Sequence, residues 1–128
     1  MIKLRYQDEL LFCSLNLKIN NENLYLENVL IDSGSATTLI NADYICLDGT
    51  EKILNVQGVG GCEKVLFKKI DTLQLDDFTL DNFFLSVGDM NYGIEMDCLL
   101  GLDLLKALGA TINLNTLEMN FENTNTYK

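Results

Sequence analysis

Hydrophobic and polar positions alternate along the first part of the chain. In residues 10–19 apolar side chains recur at nearly every second position, and four polar residues then interrupt the run. An alternation with a period of two is typical of a strand that buries one face. Residues 24–31 alternate at first and end in the continuous apolar run Val29-Leu30-Ile31. The pattern therefore predicts two strands, the second of which ends inside the core.

The remaining pattern is also mostly that of strands. Apolar segments at residues 53–56 and 65–75 flank a glycine-rich tip and predict a β-hairpin. Residues 103–108 instead have helical spacing, and Gly109 is a typical C-terminal stop. Further short strands are predicted at residues 37–40, 78–87, 110–114 and 117–121. The pattern as a whole indicates an all-β fold with one short C-terminal helix.

Length and charge narrow the possible functions. The 128 residues suit a single domain spanning residues 1–128, with a frayed tail at residues 122–128. Nine basic side chains against nineteen acidic ones give a net charge of −10. Such a chain repels phosphate backbones and anionic lipid headgroups, so we expect neither nucleic acid nor membrane as a partner.

The chain contains no histidine, which excludes Ser-His-Asp and Cys-His nucleophiles and the usual histidine-containing zinc sites. Its four cysteines are scattered among apolar neighbours without CxxC spacing, which indicates reduced thiols in a reducing compartment. The first residues lack the apolar run of a signal peptide. The sequence therefore predicts a cytoplasmic protein.

The strongest chemical signal is Asp32-Ser33-Gly34, which follows directly after the buried run Val29-Leu30-Ile31. Alone, this tripeptide is weak evidence, because a tight turn explains it as well. It is followed by the glycine-rich hairpin segment 57–65 and then by Leu99-Leu100-Gly101, which precedes the predicted helix. In this order and at these separations, the three motifs resemble those of the retropepsin-like aspartic proteases over most of the chain.

The resemblance implies the closed β-barrel of that fold and an aspartic endopeptidase in which Asp32 is one half of a catalytic pair. Because the chain carries one such motif, the second aspartate would come from another copy in a homodimer. In the well-known dyad of this enzyme class, two adjacent carboxylates share a proton and activate a water that attacks the peptide carbonyl. The implied partner is a peptide or protein substrate, with no metal and no cofactor.

The resemblance also assigns supporting roles. Ser33 and Gly34 would brace the catalytic loop, and Leu100 and Gly101 would pack close to it. The flap that folds over a bound peptide would be formed by Gly58, Val59, Gly60 and Gly61. Side pockets for the substrate would be lined by Val29, Ile31, Val56 and Val59.

The chain departs from the retroviral pattern at two places. Ser35-Ala36-Thr37 replaces an alanine followed by substrate-binding acids, and Leu102 replaces an arginine. A catalytically inactive module that dimerises or binds peptides therefore stays open as an alternative, as does a protease confined to its own precursor. The acidic turn residues Asp76, Asp77 and Asp81 lack the ligand order of an EF-hand and are read as solvated.

Overall fold

Strands make up most of the structure, a computed structural model that describes residues 1–58, 61–88 and 93–122. The described helical segments are α1 (Leu102–Ala107) and one 3-10 turn at Ala42–Tyr44. The strands are β1 (Ile2–Lys3), β2 (Arg5–Gln7), β3 (Leu10–Ile19), β4 (Glu22–Ile31), β5 (Leu39–Asn41), β6 (Lys52–Gly58), β7 (Gly61–Leu75), β8 (Phe78–Gly88), β9 (Cys98–Leu100), β10 (Thr111–Asn113) and β11 (Glu118–Asn120).

Eight of these strands form one sheet in the order β2-β3-β4-β9-β5-β8-β7-β6. Strand β3 pairs in addition with β7, so that the hydrogen-bonded pairings run in a ring through β3, β4, β9, β5, β8 and β7. A smaller sheet, β1-β11-β10, joins the two ends of the described chain. The predicted mainly β architecture with one short helix is confirmed, whereas closure of the ring into a barrel stays a prediction.

The two long strands predicted from alternation are present. Strand β3 has the predicted bounds, and β4 begins two residues before the predicted start at residue 24. Strands β1 and β2 have no counterpart in the prediction, because two or three residues are too short to show a period. At the other end, the N–H of Glu122 donates to the carbonyl of Leu108 at 3.0 Å, and residues 123–128 of the predicted frayed tail lie outside the described residues.

The core consists of two apolar clusters on opposite faces of the same strands. In β4, Val29 belongs to the larger cluster and its neighbour Leu30 to the smaller one. Ile40 and Leu39 of β5 divide in the same way. This division explains the continuous apolar runs, because a strand with apolar surroundings on both faces needs no polar positions. The smaller cluster consists of Phe12, Leu30, Leu39, Val65 and Met96.

Two cysteines lie in the larger cluster. Cys13 of β3 and Cys98 of β9 both pair with Val29 of the strand between them, and both are free and buried. Burial raises the pKa of the Cys13 thiol to about 12 and also raises the pKa of Cys98. Cys46 is free and exposed. Within the described part of the chain, no helix is long and apolar enough to cross a membrane.

The cysteines should differ sharply in their reactivity. Because the thiolate is the nucleophile, Cys13 and Cys98 should react with iodoacetamide at least about 100-fold more slowly than Cys46 in the folded protein. Peptide mapping by mass spectrometry after timed labelling at mildly alkaline pH measures the rates. In concentrated guanidinium chloride the three rates should converge, and equal rates without denaturant would contradict the buried placement.

Candidate active site

The segment that contains Asp32 connects two strands of the sheet, and a third strand lies between those two. The segment therefore passes over the end of this third strand. Residues 32–38, named here the Asp32 loop, connect β4 to β5. Strand β9 lies between these two strands, parallel to β4 and antiparallel to β5, with Leu100 opposite Ile31 and Leu99 opposite Leu39. Because β4 and β5 do not pair with each other in this sheet order, the loop must cross over β9.

The end of β9 holds the Asp32 loop through backbone hydrogen bonds. The N–H of Asp32 donates to the carbonyl of Leu100 at 3.0 Å, and the N–H of Leu102 donates to the carbonyl of Ser35 at 2.8 Å. Within the loop, the N–H of Ser35 donates to the carbonyl of Asp32 at 3.2 Å. The turn that contains the predicted catalytic residue is therefore fixed at both ends by residues 100–102.

Asp32 is half-buried, and its carboxylate has a defined orientation. Its Oδ1 accepts a hydrogen bond from the N–H of Gly34 at 2.9 Å, which closes a short turn of the kind that aspartate favours. A Cβ on Gly34 would lie 3.2 Å from the same oxygen, which is tighter than most contacts. Ser33 and Gly34 themselves are exposed. The loop therefore presents the Asp32 carboxylate beside an exposed backbone.

Gly101 is required by the close approach of two backbones. A Cβ at this buried position would lie 2.3 Å from the carbonyl oxygen of Thr37 and 2.9 Å from the nitrogen of Thr38. The backbone at Gly101 has φ −90°, so its conformation alone would accept other residues. The Leu99-Leu100-Gly101 motif is thus explained by direct packing of β9 against the Asp32 loop.

Two polar side chains that sequence reasoning did not assign to the site also hold this loop. Thr38 is 1% exposed, and its hydroxyl donates to Asp103 Oδ1 at 2.8 Å and accepts from the N–H of Gly101 at 3.0 Å. Asp103 lies in the first turn of α1. The signal that could have found the pair is a hydroxyl residue inside the apolar segment 37–40 together with an acid two residues after Gly101.

Residues of the altered segment take part in the same arrangement. The hydroxyl of Ser35 donates to the carbonyl of Thr37 at 2.9 Å, and Ser86 Oγ lies 3.0 Å from Thr37 Oγ1. The N–H of Ser86 also donates to the carbonyl of Thr38 at 3.0 Å. The hydroxyl groups of Ser35 and Thr37 therefore brace the loop within the segment that departs from the retroviral pattern.

Asp97 holds β4 and β5 at the beginning of β9. Its Oδ2 accepts hydrogen bonds from the N–H groups of Glu27 and Asn28 at 3.1 and 3.0 Å, and its own carbonyl accepts from the N–H of Asn41 at 3.0 Å. Its Oδ1 accepts from the hydroxyl of Tyr44 at 3.0 Å, and this hydrogen bond raises the pKa of Tyr44. Both ends of β9 are thus tied to the strands that carry the loop.

The predicted flap lies on the hairpin formed by β6 and β7. Gly58 pairs with Gly61, and Gly61 has φ +124°, a conformation that favours glycine. Val59 and Gly60, the predicted tip, lie outside the described residues, and so does the side chain of Val56. The structure thus brings Asp32, Ser33, Gly34, Leu100 and Gly101 together, whereas the position of the tip over Asp32 stays a prediction.

The prediction that Val29 lines a substrate pocket is wrong. Val29 has no exposed surface and is packed in the larger cluster, and Ile31 packs against the same cluster. The side chain on the opposite face of β4 is Leu30, two residues before Asp32 and in the smaller cluster. The error arose because a continuous apolar run does not show which of its residues points to which face.

Asp76, Asp77 and Asp81 are all exposed, as predicted; Asp76 and Asp77 lie in the turn between β7 and β8, whereas Asp81 lies on β8 and not in a turn. Among the described residues, no group of three or more histidine, cysteine, aspartate or glutamate side chains could hold a metal ion.

Comparison with known proteins identifies a protein family that this chain matches. A family model described as aspartyl protease matches residues 15–104. The matched segment includes the Asp32 loop, the β6–β7 hairpin and the junction of β9 with α1, and it covers well over half of the chain. No match is found among curated proteins.

Gly101→Ala should lower the free energy of unfolding by about 1–3 kcal/mol, because the backbone of the Asp32 loop must move to make room for a methyl group. Gly88→Ala is the matched control: its Cβ would meet only Leu39 Cδ1, at 3.4 Å, and the change should stay within about 0.5 kcal/mol. Urea unfolding followed by circular dichroism measures both. Equal effects of the two substitutions would contradict the backbone contact at Gly101.

Proposed function

The chain belongs to the aspartyl protease family, and from this premise we propose that it is an aspartic endopeptidase in which Asp32 is the catalytic residue. The single observation that carries the proposal is the Asp32 loop itself. Its carboxylate is oriented by the N–H of Gly34, and its backbone is fixed by Leu100 and Leu102. A rigid, partly exposed carboxylate is what water activation requires.

One chain supplies one half of the catalytic machinery, and a second copy supplies the other half. Ser33, Gly34 and Ala36 are exposed beside Asp32, and Leu102 is 49% exposed although it is a leucine next to the loop. An isologous contact across a two-fold axis would cover these residues and bring the two Asp32 carboxylates together. Ser33 would then hydrogen-bond to the partner loop, as the family resemblance implies.

The chemistry follows from two carboxylates that hold one proton between them. The ionised carboxylate accepts a proton from a water molecule as its oxygen attacks the peptide carbonyl carbon. The protonated carboxylate donates its proton to the carbonyl oxygen, which gives a neutral tetrahedral diol. Collapse of the diol breaks the C–N bond, returns a proton to the pair and delivers another proton to the leaving nitrogen. No covalent enzyme intermediate is formed.

The substrate is an extended peptide that lies between Asp32 and the β6–β7 hairpin, with Gly58, Val59, Gly60 and Gly61 as the closing flap. We also propose that the ring of paired strands closes into the barrel of this fold. A closed sheet has few free edges, so the frame around the loop would be rigid.

The inactive binding module is the second candidate. Its support is the segment Ser35-Ala36-Thr37, which lacks the acids of the retroviral pattern. In the structure, Ser35 and Thr37 hold the loop through their hydroxyl groups, so their presence is consistent with an intact loop.

Asp32→Asn tests the catalytic proposal. Because amides cannot share and transfer the proton, cleavage of a diverse peptide mixture should fall at least about 100-fold, with the fold unchanged. Mass spectrometry from acidic to neutral pH, at several protein concentrations, measures the rate. The wild type should show a bell-shaped pH profile and a rate that rises more steeply than linearly with concentration.

Asp81→Asn is the matched control, since Asp81 is an exposed aspartate on β8. This variant should cleave like the wild type. Cleavage that survives in Asp32→Asn would refute the mechanism, and a folded wild-type dimer that cleaves nothing would favour the binding module.

Leu102→Asp should raise the Kd of the dimer at least about tenfold, because it places two like charges near the two-fold axis and removes apolar surface. Leu47→Asp is its control: Leu47 is 45% exposed, close to the 49% of Leu102, but is not hydrogen-bonded to the Asp32 loop as Leu102 is. Analytical ultracentrifugation measures the Kd of each variant. If both substitutions weaken the dimer equally, or neither does, Leu102 is not at the interface.

A further inference from the structure

A chain of hydrogen bonds with fixed direction links helix α1 to the Asp32 loop. The Thr38 hydroxyl accepts the N–H of Gly101, so its own proton must point elsewhere. It points to Asp103 Oδ1, 2.8 Å away, an oxygen that also accepts the N–H of Leu104. The direction of both hydrogen bonds is therefore fixed: the N–H of Gly101 donates to Thr38, and Thr38 donates to Asp103. With Thr38 1% exposed, water does not compete for these bonds.

These hydrogen bonds are directly connected to the backbone of the predicted catalytic residue. Gly101 lies between Leu100, whose carbonyl accepts from the N–H of Asp32, and Leu102, whose N–H donates to the carbonyl of Ser35. Movement of Gly101 would therefore move both hydrogen bonds that fix the turn. The two backbones are in close contact here, because a Cβ at Gly101 would lie 2.3 Å from the carbonyl oxygen of Thr37.

A helix-capping role alone does not account for Asp103. Its Oδ1 also accepts from the N–H of Leu104 at 2.7 Å, which is a local bond within a helix of six residues. The bond to Thr38 joins positions 65 residues apart and lies on the side of the Asp32 loop. The same oxygen thus connects the helix to the loop.

We propose that Asp103, acting through Thr38, is a positioning residue that holds the Asp32 loop where the two Asp32 carboxylates of a dimer can share a proton. The inference rests on the proposed function, because it concerns the geometry of that dyad. A catalytic group displaced by about 1 Å can lose about 100-fold in rate. Loss of the Thr38–Asp103 bond should therefore reduce kcat more than it reduces substrate binding.

The test compares four variants as dimers at saturating protein concentration. Thr38→Val and Asp103→Ala remove the hydrogen bond, and we expect kcat to fall about 10-fold to 100-fold while KM stays within about twofold. Thr38→Ser keeps the hydroxyl and Asp103→Asn keeps the Oδ1 acceptor, so both should retain kcat within about threefold.

Ile70→Val, a truncation in the larger cluster, is the control for lost stability. It should lower Tm with kcat unchanged. The proposal is overturned if kcat falls in Ile70→Val as much as in Thr38→Val at equal loss of Tm. It is also overturned if the conservative variants lose as much kcat as the disruptive ones.

A second measurement separates this proposal from the proposed function. Hydrogen exchange followed by NMR reports on the N–H groups of Asp32 and Leu102 whether or not the protein cleaves peptides. Thr38→Val should speed their exchange at least about tenfold, and Ile70→Val should leave both rates within about twofold of the wild type. If the wild type shows no Asp32-dependent cleavage but exchange accelerates, the proposed function fails and the positioning of the loop stands. Unchanged exchange in Thr38→Val overturns the positioning.

Discussion

The contact between Gly101 and the carbonyl of Thr37 is the constraint on which the rest of the site depends. Strand β9 lies between β4 and β5, and the loop that connects those strands must pass directly over its end. Only a residue without a side chain allows the two backbones to meet. Once they meet, hydrogen bonds at Leu100 and Leu102 determine where Asp32 begins its turn.

Polar side chains tie both ends of β9 to the neighbouring segments. Asp97 ties β4 and β5 at one end of β9, and Asp103 ties α1 to the loop at the other end. Of the described residues, Thr38 and Ser86 are the buried polar ones; Thr38 lies in the loop, and Ser86 contacts it. Buried polar groups cost stability unless each is hydrogen-bonded, so their concentration here indicates that the loop geometry is strictly specified.

Local patterns predicted much of the fold, because they report on what each residue does within its own strand. Alternation gave β3, and the motifs at Asp32 and Gly101 indicated which segments meet. The division of Val29 and Leu30 between two clusters could not be read from an unbroken apolar run. The roles of Thr38 and Asp103 depend on a contact between distant segments, which no local period reports. Sequence reasoning therefore located the loop but not the groups that hold it.

The inserted position of β9 also has a consequence for how the protein is made. Asn28 and Asp97, which meet at the start of β9, are 69 residues apart, and the strands on both sides of β9 are synthesised long before it. A nascent chain that has not yet reached β9 leaves β4 and β5 without the strand that both require. The arrangement around Asp32 therefore forms only after β9 has been translated, and translation products that stop before β9 carry an unassembled loop. Pairing over such distances along the chain also slows folding, because the entropy of closing the long loop is lost before the stabilising contacts form.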